Sequence, residues 1–247
     1  MNVASLAPYV DVVSLITAGL VAFGYAAYLT TWVSRRIFPR VPRLTWWQAG
    51  LASAAVALPL AFASGVPQMY LFVAALVPVA LLSAYVDARS LRIPNVYVVH
   101  GSLITLHAGF YLLLAGPGGS VWDAAVAWSA VLAGGTFLTL LGINLGSGGK
   151  LGMGDVKLGP VLAGSLVLVE VRSWGGALLA SPAVVFLMLL VVFVWSTGSF
   201  MAGGVWILIR GTKRLKNGFP FGPFMVVSWI AAIACTPLID RYLISLT

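Results

Sequence analysis

Residues 68–86 read QMYLFVAALVPVALLSAYV, an apolar run without a charged residue that stops at Asp87. A run of about 20 apolar residues is long enough to cross the hydrocarbon core of a bilayer as a helix. The whole chain shares this character, since its 247 residues are 61% hydrophobic and 8% charged, with a mean hydropathy of +1.03. Soluble domains carry about 25% charged residues, so the composition excludes a soluble globular enzyme as well as a disordered chain. We predict an all-α, polytopic membrane helix bundle.

Apolar segments of this kind follow one another along the chain, and short polar or glycine-rich loops join them. They leave no room for a sizeable soluble domain, so residues 1–247 are predicted to form a single transmembrane helical domain. The eight predicted crossings cover about residues 8–33, 46–64, 68–86, 96–115, 121–143, 156–171, 177–209 and 221–239.

The basic residues predict how this bundle is oriented. Cytoplasmic loops of membrane proteins are enriched in Lys and Arg. With both termini placed outside, only Arg172 and Arg241 of the 14 basic residues fall outside. The predicted inner loops then hold Arg35, Arg36, Arg40, Arg43, Arg89, Arg92, Lys150, Lys157, Arg210, Lys213, Arg214 and Lys216.

Net charge and cysteine content limit which partners and cofactors we expect. The formal charge of +8 would favour nucleic acid in a soluble protein, but here the basic residues mark loops beside the membrane. We therefore expect membrane lipids as neighbours and no nucleic acid. Cys235 is the only cysteine, so no intramolecular disulfide and no paired zinc ligands are possible. We expect neither a metal nor another cofactor.

Two carboxylates stand out by position. Asp87 and Asp155 are the only acids at the predicted inner ends of crossings, at the end of the third and the start of the sixth. One interpretation is that each pairs with a nearby base, Asp87 with Arg89 or Arg92 and Asp155 with Lys150 or Lys157. The other acids, Asp11, Asp123, Glu170 and Asp240, fall at the outer ends.

The other interpretation is a catalytic pair, because ionisable groups at membrane depth are candidates for function. Two carboxyls within a few ångström share one proton. One can then take a proton from a water that attacks a peptide carbonyl, while the other protonates the carbonyl oxygen and later helps the amine leave. Gly152 and Gly154, on either side of Met153, would let the backbone bend or approach a substrate strand closely.

Three segments resemble motifs of the type IV prepilin peptidases, which are membrane aspartic proteases of the GxGD class. The stretch 152–158, GMGDVKL, is similar to the GxGD motif. Asp87, followed by Arg92-Ile93-Pro94-Asn95, resembles the first catalytic aspartate and the R-[IL]-P-[ND] element of that family. The stretch 219–224, FPFGPF, resembles its PFGP segment.

The resemblance implies an endopeptidase of the prokaryotic cytoplasmic (inner) membrane, with a protease core at about residues 68–240 and an active site facing the cytoplasm. It would remove a short basic leader from a prepilin or pseudopilin, after a glycine and before the hydrophobic segment. It also implies that Asp87 and Asp155 are catalytic. The implied site-shaping residues are Gly152, Met153, Gly154 and Lys157, and the supporting residues are Arg92, Pro94, Asn95, Pro220, Phe221, Gly222 and Pro223.

Larger family members carry a cytoplasmic domain with paired CxxC zinc ligands between their first two crossings. Here only residues 34–45 occupy that place, without a cysteine. The chain thus resembles the short, peptidase-only members, such as those that serve Flp or Tad pili, and N-methylation of the product is not expected. Presenilin-like GxGD proteases resemble it less, because the chain has Tyr85-Val86-Asp87 in place of a YD pair and no PAL tripeptide.

The alternative from another functional class is a small transporter that uses the two aspartates as proton or cation sites. A transporter would be expected to place ionisable groups near the bilayer midplane and to have two similar halves. The acids of this chain lie at the predicted inner edge, and its halves do not resemble each other.

Overall fold

The computed structural model describes residues 7–33, 44–63, 67–115, 120–149, 151–173, 182–210 and 219–244. Within these ranges the chain forms eight α-helices and no strand. The helices are α1 (Ala7–Tyr28, continued by a π-helical turn Leu29–Val33), α2 (Trp46–Ala63), α3 (Pro67–Ser90), α4 (Asn95–Ala115), α5 (Ser120–Gly146), α6 (Met153–Ser173), α7 (Pro182–Arg210) and α8 (Gly222–Ile244).

Five of these helices are long and apolar enough to cross a membrane. Their spans are Val12–Thr31, Trp46–Ala63, Met69–Ser90, Asn95–Leu114 and Val126–Gly146, in α1 to α5. In the described part of α7 and α8 the apolar stretches are shorter, at Val191–Ile207 and Gly222–Cys235. The prediction of an all-helical, polytopic membrane bundle is confirmed, and the side of the membrane on which each terminus lies stays a prediction.

Helix α3 occupies the centre of the bundle and packs against α1, α2, α4 and α8. Small side chains allow neighbouring helices to approach each other closely. Ala18, Ala22 and Ala26 recur every four residues on one face of α1 and are fully buried, as are Ala57 and Ala61 of α2. Because α3 is the most buried of the five spans, polar groups on it are shielded from lipid by the other helices.

Helix α8 connects α3 to α6 because it packs against both of them. Trp229 of α8 is fully buried, and its indole Nε1 donates a hydrogen bond to Ser165 Oγ of α6 at 3.1 Å. On the other side of α6, Ser129 Oγ of α5 donates to the Gly164 carbonyl at 2.9 Å. These contacts hold α6, which carries Asp155, against α8, which also packs on α3, the helix that carries Asp87.

Several helix ends differ from the predicted crossings, including the end of α8 at Ile244 instead of about 239, and two of them lie beside the inner aspartates. Helix α3 continues to Ser90, beyond the predicted end of the third crossing, and α6 begins at Met153, before the predicted start of the sixth. The amide of Leu91 still donates to the Asp87 carbonyl at 2.8 Å. A charged residue ends an apolar run without ending a helix, since backbone hydrogen bonding continues through it. Both aspartates therefore lie within helix ends and not in the loops.

Candidate functional site

The structure brings the two inner aspartates together at one end of the bundle. Asp87 lies in the last turns of α3 and is 2% exposed, and Asp155 lies in the first turn of α6 and is 1% exposed. Both line one cavity of about 380 Å³. Two buried carboxyls from helices far apart in sequence thus share one polar space.

Asp87 receives a hydrogen bond from a third helix. The backbone N–H of Gly222 donates to Asp87 Oδ2 at 3.0 Å, and Gly222 is the first residue of α8. The first N–H groups of a helix have no partner within the helix and carry the positive end of its dipole. The start of α8 therefore stabilises a negative charge on Asp87.

Asp155 has a different environment. Its own amide donates to the Gly152 carbonyl at 3.0 Å and so opens α6. The amides of Gly152 and Gly222 lie close to its carboxyl group, but among the described residues no group meets hydrogen-bond geometry with either Asp155 oxygen. Asp155 is a deeply buried acid whose two oxygens are available to a group that enters the cavity.

The cations whose contacts the structure gives do not pair with Asp87 or Asp155, contrary to the ion-pair interpretation. The Arg89 guanidinium lies over the Tyr85 ring, 5.3 Å from its centroid. The Lys157 ammonium donates to Asn95 Oδ1 at 3.0 Å, and Arg92 lines the cavity with Asn95 and Lys157. Lys150 lies outside the described residues.

Ile93 belongs to the Arg92-Ile93-Pro94-Asn95 element, but the sequence analysis named only the other three residues of that element as supporting the site. Ile93 is 6% exposed and packs between Gly154 of the GxGD segment and Gly222 of the FPFGPF segment. A Cβ atom at Gly154 would stand 2.6 Å from Ile93 Cβ, and a Cβ atom at Gly222 would stand 3.1 Å from Ile93 Cδ1. One side chain thus fixes the spacing between the Gly154 backbone beside Asp155 and the Gly222 backbone beside Asp87. Hydropathy and spacing gave no signal for this role.

Gly154 has a packing role in addition to the predicted one, and the approach of a substrate strand to Gly152 and Gly154 stays a prediction. Gly154 makes room for Ile93 of the same chain, because a side chain there would also stand 2.9 Å from the Ile93 amide nitrogen. Among the described glycines the left-handed region is occupied at Gly148 and Gly149, with φ of 68° and 80°. The tight turn after α5 is made there, where glycine carries no Cβ penalty.

Leu91 marks a sharp change of chain direction between Asp87 and Ile93. It has φ of 55°, a left-handed conformation that costs an L-residue with a Cβ atom about 1–2 kcal/mol. Helices commonly end with a residue in this conformation. At Leu91 it turns the chain back towards α6 and α8, which brings Ile93 between the two glycines.

Met153, the variable residue of the GxGD segment, is hydrogen-bonded to α5. Met153 is 48% exposed at the cavity, and its sulfur accepts a hydrogen bond from Asn144 Nδ2 at 3.2 Å. Asn144 is 6% exposed, and among the described residues nothing pairs with its Oδ1 atom. Asn144 is a second site neighbour that the sequence did not single out.

The third motif contacts Asp87 through the Gly222 amide, and its aromatic residues pack on α7. Phe219 stacks on Phe224 with ring centroids 5.4 Å apart and contacts Trp206 of α7 at 5.6 Å. Phe221 packs against Phe200 of α7 at 4.9 Å. These aromatic contacts anchor the start of α8 on α7. Half-buried Pro220 and Pro223 lie in the same segment but do not line the 380 Å³ cavity, nor does buried Pro94.

A larger cavity of about 640 Å³ lies between α5, α7 and α8. Its walls are mostly apolar, and Phe221 at its edge is the residue before Gly222. Neither aspartate lines it, so the chemistry of the carboxyls belongs to the smaller, polar cavity.

Other polar groups within the helices form contacts away from the aspartates. His100 Nδ1 and the Tyr25 hydroxyl form a hydrogen bond that joins α4 to α1. Among the described residues no three His, Cys, Asp or Glu side chains come together as a metal-binding group.

Comparisons of the chain with protein-family models, with curated proteins and with solved structures give no match.

Proposed function

We propose that this protein is an aspartic endopeptidase that uses Asp87 and Asp155 as its catalytic pair. The observation that carries the proposal is the convergence of two buried carboxyls, from α3 and α6, on one polar cavity. Paired carboxyls that share a proton provide a general base and a general acid at the same time. Amide hydrolysis needs both.

The proposed reaction begins with a water molecule between the two carboxyls. The ionised carboxylate takes a proton from the water while its oxygen attacks the peptide carbonyl carbon, and the protonated carboxyl gives its proton to the carbonyl oxygen. The resulting diol collapses as the C–N bond breaks. The nitrogen takes the proton held by the first carboxyl, and a diol hydroxyl returns a proton to the second.

We propose prepilin or pseudopilin precursors as substrates and the prokaryotic cytoplasmic membrane as the location. The motif resemblance supports the substrate, and the distribution of basic residues supports a dyad at the cytoplasmic end of the bundle. A basic leader would remain in the cytoplasm while the hydrophobic segment lies in the bilayer, so the bond to be cut would lie level with the carboxyls. The short loop at residues 34–45 supports a peptidase without N-methyltransferase activity.

The position of the acids favours this proposal over the transporter alternative. Asp87 lies near the end of α3 and Asp155 at the start of α6, whereas transporter sites lie near the midplane. Gly152, Met153 and Gly154 also line the cavity, and Met153 is 48% exposed there, which supports the approach of an extended peptide to this segment.

The proposal is tested by co-expressing the protein with a short-leader prepilin and determining the mass and N-terminus of the product. We expect cleavage after glycine by wild type, with activity lost in both Asp87→Asn and Asp155→Asn. Asp123→Asn, an acid predicted at the opposite end of the bundle, serves as the matched control and should process normally. Processing by Asp155→Asn at the wild-type rate would overturn the proposal. A product with the mass of an added methyl group would show that methylation does occur.

A further inference from the structure

We propose that the two aspartates have unequal roles, in which Asp87 is the base that activates water and Asp155 is the proton donor. This inference rests on the proposed function, since it assigns the two steps of that reaction to individual residues. It is carried by an asymmetry in hydrogen bonding between two carboxyls that are almost equally buried.

The Gly222 N–H is the group that distinguishes the two acids. It donates to Asp87 Oδ2 at 3.0 Å from the first residue of α8. A hydrogen bond to the charged form of a carboxyl favours that form, and the helix start adds favourable electrostatics. When the pair holds one proton between them, Asp87 is therefore the member that stays ionised.

Asp155 is the member that carries the proton. An ionised carboxylate that is buried without well-aligned hydrogen-bond donors is costly, and among the described residues no group meets hydrogen-bond geometry with either Asp155 oxygen. It lies in the first turn of α6, whose dipole also favours negative charge. The amides beside it nevertheless miss hydrogen-bond geometry, whereas the Gly222 N–H achieves it with Asp87.

Neighbouring cations do not reverse this order. Lys157 and Arg92 both line the cavity, but the Lys157 ammonium donates to Asn95 Oδ1. Arg89 lies over the Tyr85 ring. Within the described part of the chain, which leaves out Lys150, Asp155 thus has no charged hydrogen-bond donor that would compensate for the Gly222 N–H received by Asp87.

The assignment fixes the proton movements. A water proton passes to the Asp87 carboxylate as the water oxygen bonds to the carbonyl carbon, and the Asp155 proton passes to the carbonyl oxygen. When the C–N bond breaks, Asp87 gives its proton to the leaving nitrogen, and a hydroxyl of the diol returns a proton to Asp155. Both carboxyls then regain their initial states. The Gly222 N–H acts as a positioning group that holds Asp87 ionised and oriented.

The test is infrared spectroscopy of the purified full-length protein in lipid, in which a protonated carboxyl gives a carbonyl stretching band separate from that of a carboxylate. We expect the dyad band to persist in Asp87→Asn and to be lost in Asp155→Asn, with the double variant as background. Loss in Asp87→Asn and persistence in Asp155→Asn would overturn the assignment, as would a wild-type spectrum indistinguishable from that of the double variant.

A second measurement examines the role of the Gly222 amide. Gly222→Pro removes the N–H and Gly222→Ala keeps it, while both add a Cβ atom. In the Asp155→Asn background, we expect the proline variant to restore a protonated-carboxyl band, now on Asp87, and the alanine variant to show none. Equal spectra for the two variants would contradict a role of the N–H. Because these spectra need no substrate, failed processing with the expected bands would count against the peptidase proposal alone.

Discussion

Gly154→Ala is the substitution that most sharply tests the packing of the site. The added Cβ atom would lie 2.6 Å from Ile93 Cβ and 2.9 Å from the Ile93 amide nitrogen. Carbon atoms pack best at about 3.5–4.0 Å, so the two segments must separate by about 1 Å. The contact includes backbone, so no rotamer change relieves it, and Asp155 is the next residue along the chain.

The expected effect on activity exceeds the effect on stability. Overpacking costs about 1–3 kcal/mol, and the higher helix propensity of alanine returns about 1 kcal/mol. A displacement of about 1 Å at the reacting groups can cost about 100-fold in rate. We therefore expect a folded protein that cleaves a prepilin substrate about 100-fold more slowly, measured as initial rate with purified enzyme.

Gly142→Ala of α5 is the matched control for this substitution. A Cβ atom there meets nothing within 4 Å, so its rate should match wild type. Wild-type cleavage by Gly154→Ala would refute the argument that Ile93 sets the spacing of the two aspartates.

Three further predictions follow from contacts of the site. Gly222→Ala should slow cleavage because its Cβ atom would lie 3.1 Å from both Asp87 Oδ2 and Ile93 Cδ1. Ile93→Val removes Cδ1, so the Gly222→Ala/Ile93→Val double variant should cleave faster than Gly222→Ala alone. A slower double variant would contradict this. Lys157→Met and Asn95→Ala should each lower the free energy of unfolding by about 1 kcal/mol, because each removes the 3.0 Å hydrogen bond between the two side chains. A double-mutant cycle should show that the two effects are coupled. Additive effects would rule the hydrogen bond out. The rate of cleavage should fall at both acidic and alkaline pH because one carboxyl must be ionised and the other protonated; a rate independent of pH would exclude the pair.

The fold was largely predictable because a membrane permits few structures. An apolar chain segment in lipid must satisfy its backbone hydrogen bonds internally, so each long apolar run becomes a helix. The fourth crossing, predicted at about 96–115, is the helix Asn95–Ala115. The end of α3 at Ser90 and the start of α6 at Met153 were predicted less accurately. Hydropathy responds to the charges of Asp87 and Asp155, while helical hydrogen bonding does not.

The arrangement of the site was predictable only in part. The distribution of charges and the motifs singled out Asp87 and Asp155 without coordinates. The hydrogen bond from Gly222 to Asp87 joins residues 135 positions apart, and its existence depends on how α8 packs between α3 and α6. The place of Ile93 between Gly154 and Gly222 likewise depends on three chain segments that meet only in the folded bundle.

The central claim, a peptidase built on Asp87 and Asp155, is tested most directly with purified components. The full-length protein would be reconstituted in lipid vesicles with a purified short-leader prepilin, and the products identified by mass spectrometry, so that no host peptidase contributes. The account predicts a single cut after glycine by wild type and rates at least about 100-fold lower for Asp87→Asn and Asp155→Asn. Cleavage at the same rate by both variants, or no cleavage by the wild-type enzyme of any prepilin offered, would contradict it.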